Sequence, residues 1–163
     1  MERELELYQI AGYFPYGLVG MFKGYEHLQP TLITIGVSYY KNETTLSFDN
    51  ELKPILRPLS DLYRTITHNG VEVTPIVELA CMSKPYIYWE YSGSYYACDD
   101  KKYVFLYSEE HRCFIFQKGN DANVVPNQYQ LFDYLHELKV DYRRLIDAGL
   151  AIDVNTLDVN PYK

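Results

Sequence analysis

The sequence predicts an α+β fold: a single domain over residues 1–163, mainly antiparallel sheet, with a C-terminal helix pair. Three observations point there. Residues 31–48 and 103–117 are dense in β-branched and aromatic side chains broken by short polar turns, as hairpins require. Leu131, Tyr134, Leu135 and Leu138 recur at helical spacing. With 163 residues and 47% hydrophobic content, folding would bury about 70% of the surface the unfolded chain exposes, so neither a metal nor a disulfide is needed for a core.

Taken in order, residues 17–24 read as a short strand whose glycines permit a bulge or close backbone approach. Residues 32–35 and 37–40 precede a polar break at Lys41-Asn42-Glu43, and residues 44–48 resume the extended pattern, predicting two strands and a tight turn. Pro54 and Pro58 hold Ile55-Leu56-Arg57 on an extended or turning path ahead of a helix over residues 60–67, which His68-Asn69-Gly70 would stop. Val71-Glu72-Val73 is then a brief strand, and Thr74-Pro75 starts a short helix through Ala80.

Residues 86–91 alternate imperfectly, Ser92-Gly93-Ser94 breaks them, and residues 103–107 pair with 113–117 as an antiparallel hairpin. A polar loop over residues 118–123 leads to Pro126-Asn127, which opens the clearest helix. The second helix of the pair runs from Asp141 to Ala148 and stops at Gly149. Leu150-Ala151-Ile152 docks as a strand or extended segment.

Composition excludes several functions. Twenty-two acidic against 15 basic side chains give a formal charge of -7, a field that repels a phosphate backbone and argues against nonspecific DNA binding. No apolar run approaches the ~20 residues of a membrane span. The start, Met1-Glu2-Arg3-Glu4-Leu5, lacks the features of a signal peptide, so the expected location is the cytoplasm. Cys81, Cys98 and Cys113 are odd in number and widely spaced, as reduced thiols are.

No catalytic residue, cofactor or metal is assigned. The cysteines and His27, His68, His111 and His136 lack zinc spacing. His111 and Cys113 share the hairpin, but a polar turn histidine beside a strand cysteine explains them more simply. Glycines 17, 20 and 24 lack the lysine and hydroxyl of a P-loop. Carboxylates such as Asp99-Asp100 and Glu109-Glu110 read as solvated groups.

The binding candidates are aromatic. Seven of the 18 tyrosines fall at positions 86–107, around the lone tryptophan. Tyr86, Tyr88, Trp89, Tyr91, Tyr95 and Tyr96 either pack a core or form a surface for a base or a protein partner. For a nucleotide, Lys84, Lys101 and Lys102 stand near enough in sequence to meet its phosphates. Arg57, between two prolines, either pairs internally with Asp61 or presents its guanidinium to an acidic partner or phosphate.

Three segments carry a family resemblance: Gly12-Tyr13-Phe14-Pro15-Tyr16-Gly17-Leu18, residues 52–62 around Pro54-Ile55-Leu56-Arg57-Pro58, and residues 145–157 from Leu145-Ile146-Asp147-Ala148-Gly149 onward. Together they resemble small, functionally uncharacterised proteins encoded by phages and prophages of gut bacteria. The resemblance does not include residues 84–127. It implies a bacterial host cytoplasm and supplies no active site.

The resulting expectation is a non-enzymatic phage-type accessory protein that acts by binding, a host-takeover or anti-defence inhibitor of a bacterial protein. The alternative is a small-molecule or nucleotide-sequestering protein that uses the tyrosine-rich segment, and an enzyme of unusual design comes third. Exposed hairpin edges also admit a homodimer.

Overall fold

The computed structural model describes residues 4–22, 29–40, 43–47, 49, 51–84, 89–91, 96–98 and 103–163, with backbone alone for 37–40, 43–47, 89–91 and 96–98. The fold is α+β. Its helices are α1 (Leu7–Ile10), α2 (Pro75–Ser83) and α3 (Gln128–Glu137), with 3-10 turns at Ala11–Tyr16, Leu59–Tyr63 and Val154–Thr156. The strands are β1 (Val19–Phe22), β2 (Thr31–Leu32), β3 (Gly36–Tyr40), β4 (Glu43–Ser47), β5 (Leu52–Leu56), β6 (Ile66–His68), β7 (Val71–Val73), β8 (Trp89–Tyr91), β9 (Tyr96–Cys98), β10 (Val104–Ser108), β11 (Cys113–Lys118), β12 (Asp121–Val124) and β13 (Ile152–Asp153). No helix among the described residues is long and apolar enough to cross a membrane.

Two compact units emerge: Met1–Pro58 with His136–Pro161, and Leu59–Leu135 with Tyr162–Lys163. The first holds a sheet of order β13-β5-β1-β2 and the separate hairpin β3-β4. β5 pairs antiparallel with β1 and parallel with β13. Gly20 on β1 is required by this close packing, because a Cβ there would lie 2.7 Å from both the Ile33 side chain and the Lys53 carbonyl oxygen. Ile10, Tyr13, Leu18, Ile33, Leu52, Leu56 and Leu145 form the apolar core. The Tyr13 hydroxyl, carried inside with its ring, donates to the Val140 carbonyl at 2.8 Å, which removes the cost of an unmet buried polar group.

The second unit is built on a sheet of order β12-β11-β10-β9-β8. Burial alternates along its central hairpin, so Phe105, Tyr107, Phe114 and Phe116 enter the core while Val104, Leu106, Cys113 and Ile115 are half-buried. Phe105 stacks on Phe114 at 5.5 Å, and Phe132 of α3 meets Phe114 and Tyr107. Where β12 ends, the Gln128 side chain extends the ladder: its amide oxygen accepts from the Phe114 N–H at 2.9 Å and its nitrogen donates to the Phe114 and Val125 carbonyls.

Four local expectations change. The helix expected over residues 60–67 shrinks to the 3-10 turn Leu59–Tyr63, and β6 and β7 form a hairpin across Asn69-Gly70. Both turn residues have positive φ, 50° and 77°, as the tight Asn-Gly hairpin turn demands. Likewise the loop expected at residues 118–123 contains the turn Gly119-Asn120 and the start of β12. Pro54 keeps the extended path expected of it, within β5 and opposite Gly20.

The fourth change concerns the C-terminal helix pair. Its first member is α3, but residues 141–149 form successive turns rather than a helix. Asp141 is the cause: its two carboxylate oxygens accept from the Leu145 and Ile146 N–H groups at 2.9 and 2.7 Å. A side chain thereby takes the donors that helical carbonyls would use. Arg144, at φ 59°, breaks the helical path as well.

Candidate functional site

Of the aromatic residues singled out from sequence, Tyr86, Tyr88 and Tyr95 lie outside the described residues. Trp89 and Tyr91 are on β8 at the sheet edge, and Tyr96 is on β9. Their registers are Trp89 opposite Cys98 and Tyr91 opposite Tyr96, with Tyr96 in turn opposite Phe105. Lys101 and Lys102 also lie outside the described residues.

Beside these strands, Lys84 and Lys118 come together on Tyr103. The Lys84 Nζ sits 5.1 Å from the Tyr103 ring centroid and 4.5 Å from that of Phe116. Lys118 Nζ lies 5.1 Å from the same Tyr103 ring and donates to its hydroxyl at 3.5 Å. The two ammonium groups are therefore separated by no more than twice the ring distance.

Local sequence places each part. Lys84 caps the C-terminus of α2, its N–H donating to the Ala80 carbonyl at 2.9 Å. A cation is favoured at that end of a helix dipole, and Pro85 next in the chain disfavours further helix. Lys118 ends β11, just before the Gly119-Asn120 turn. Tyr103 precedes β10, and extending the Val104–Gln117 pair by one residue sets it beside Lys118. Each cation–π contact contributes roughly 0.5–1 kcal/mol at such half-exposed positions. The arrangement is a local concentration of positive charge on aromatic rings, able to receive an anion by charge-assisted hydrogen bonds.

A contrasting charged cluster lies inside the first unit. Arg57 is 2% exposed, and its Nε donates to the Leu138 carbonyl at 3.1 Å. Its backbone forms a parallel bridge with Val140: the Arg57 N–H donates to Lys139 O, and the Asp141 N–H donates to Arg57 O, both at 2.8 Å. Asp61, itself buried, forms an ion pair with Arg64. The guanidinium is thus placed in the interior and bonded to main chain.

Lys139 is buried, and loss of hydration pushes its amine down to about 8. A lysine so lowered has nucleophilic potential. Here, however, its Nζ donates to the Glu137 carbonyl at 2.8 Å and its ammonium lies 5.8 Å from the Tyr16 ring. Its φ of 62° follows from its place just after α3, where a left-handed residue ends the helix and its N–H donates to His136 O. Burial likewise raises the Asp141 carboxyl, against the opposing pull of backbone amides. It also raises the Tyr142 hydroxyl, which lies 2.8 Å from His136 Nε2 and accepts from Arg143 Nε at 3.1 Å. The main-chain bonds of Arg57, Lys139 and Asp141 hold a helix end and a turn, a structural role.

His111 is exposed, its N–H donating to Ser108 Oγ, and Cys113 is half-buried. Among the described residues no group of three His, Cys, Asp or Glu side chains is arranged to hold a metal ion. Sequence reasoning named Lys84 but not Lys118 or Tyr103 as its companions. The signal was present in the hairpin register, which becomes readable once Val104 is set opposite Gln117. No family model, curated protein or solved structure matches the chain.

Proposed function

We propose that this protein acts by binding a small phosphate-bearing ligand of the nucleotide class, and that the rim formed by Tyr103, Lys84, Lys118 and the neighbouring tyrosine-rich strands receives it. The observation that carries the reading is the convergence of two lysine ammonium groups on the Tyr103 ring. Two ammonium groups on one ring, separated by at most twice the ring distance, favour a multiply charged phosphate as counter-ion, and the sequence of the neighbouring strands is rich in aromatic residues suited to a base. The net charge of -7 sharpens the choice of ligand. It opposes a long polyanion while leaving a small anion governed by the local field.

Calorimetric titration with ATP, tripolyphosphate and adenosine at low and moderate salt tests this reading. ATP is expected to bind saturably and more tightly than either fragment. The Lys84→Met/Lys118→Met double variant is expected to lose at least about tenfold in affinity, and added salt to weaken binding by wild type. An absence of saturable ATP binding, or equal binding by the double variant, overturns the proposal. Should the rim instead retain a host protein through the same two lysines while ignoring ATP, the protein-inhibitor reading replaces it.

A further inference from the structure

A second candidate site lies wholly within the first unit and uses none of the residues of the Tyr103 rim. Where β1, β5 and β13 meet the segment after Val154–Thr156, a cleft of about 310 Å³ opens between Met21, Phe22, Lys53, Ile152, Thr156, Leu157 and Asp158. That size is at the lower end of small-molecule sites, enough for a ligand no larger than an amino acid or short dipeptide.

Its strand walls and the turn as far as Leu157 are held in place, and Asp158 follows as an exposed residue. Met21 and Lys53 are register partners in the β1–β5 pair, and Ile152 is held on the other side of β5 by parallel pairing with Ile55. Opposite them, the turn leading to Leu157 is locked by three local bonds. Asp153 Oδ1 accepts from the Asn155 N–H at 2.8 Å, Thr156 Oγ1 donates to Asp153 O at 2.7 Å, and the Leu157 N–H donates to Val154 O at 3.3 Å. Val154, 1% exposed, anchors that turn in the core. A site whose walls are already held loses little order when it is filled.

The charges give the ligand its chemistry. Lys53 and Asp158 both line the cleft, and among the described residues neither forms an ion pair with the other or with a third group. The rest of the lining is Met21, Phe22, Ile152 and Leu157, with the Thr156 hydroxyl between. The half-buried Lys53 and the exposed Asp158 set charges of opposite sign at one partly apolar cleft, where a guest that brings the complementary pair can meet both. An apolar guest body then covers the thioether, ring and aliphatic surfaces.

We propose that this cleft binds a zwitterion with an apolar body, an α-amino acid of phenylalanine's size, with its carboxylate on Lys53 and its ammonium on Asp158. Titration of the full-length protein with L-phenylalanine, followed by NMR shifts of the Met21 methyl and by calorimetry, is the test. Phenylpropionate, which lacks the ammonium, and phenethylamine, which lacks the carboxylate, serve as half-charged probes. The expected result is saturable binding of L-phenylalanine, with each half-charged probe weaker by about tenfold or more. Lys53→Met is expected to remove the preference for L-phenylalanine over phenethylamine, and Asp158→Asn the preference over phenylpropionate. Both variants change half-buried or exposed side chains and should melt as the parent does, which circular dichroism checks. No saturable binding of L-phenylalanine at millimolar concentration overturns the proposal, as does binding that both folded variants retain unchanged.

Discussion

In the first unit Arg57, Lys139 and Asp141 lie inside and are bonded to backbone carbonyls and amides. Lys84 and Lys118 of the second unit lie over aromatic rings at a sheet rim. The same residue types therefore have two physical roles. An interior charge has exchanged water for main-chain partners, and the structure around it depends on that exchange. A rim charge keeps much of its water and contributes less to stability.

The sharpest way to break this contrast is at Asp141. Asp141→Ala is expected to cost about 2–3 kcal/mol, because it deletes two charge-assisted bonds and leaves the Leu145 and Ile146 amides to find other partners. Asp141→Asn should cost less, since one carbonyl oxygen remains to accept. Urea melts of the two variants check both the loss and its order.

Lys139 comes next, through pH. In the folded state its amine loses its proton near 8, against 10.5 for an unperturbed lysine. Between those values the unfolded chain binds more protons, so stability rises as pH climbs from about 8 to 10.5. Below that window the full cost of burying the charge is present, and above it both states are neutral and the cost is gone. In Lys139→Met this component of the rise should vanish, which denaturant melts across the window will read.

Smallest of all is the rim. Lys84→Met should cost no more than about 1–2 kcal/mol, the sum of its two ring contacts, measured by thermal melting. A larger loss would mean that Lys84 is held as rigidly as the interior charges, and the contrast would fail.

Much of this was legible in the chain. The central hairpin and α3 follow from alternation and from the 131, 134, 135, 138 spacing, because each is decided by local pattern. The β6–β7 hairpin was legible too, yet Asn69-Gly70 was read as a helix stop. Both structures use the same left-handed backbone, and only the alternating Ile66–Val73 flanks distinguish them. Residues 141–149 misled for another reason: their apolar spacing suits a helix, while Asp141 diverts the amides that would complete it. Register also separates what was seen at the rim from what was missed. Lys84 was named by proximity in sequence, whereas Lys118 joins Tyr103 only through cross-strand pairing. The interior of Arg57 was not readable, because its partners at 138–141 are some eighty residues away and no local pattern announces them.

That distance has a consequence for how the protein is made. The Arg57–Val140 bridge and the Tyr13–Val140 bond join chain segments separated by the whole of residues 59–135. As the polypeptide leaves the ribosome, the first 58 residues emerge without the strand, turns and helix end that complete their core. The intervening segment is nearly continuous in sequence and can close its own hairpins at once, so it is the natural first structure to form. Its folding would shorten the effective loop between the separated halves and lower the entropy cost of bringing them together.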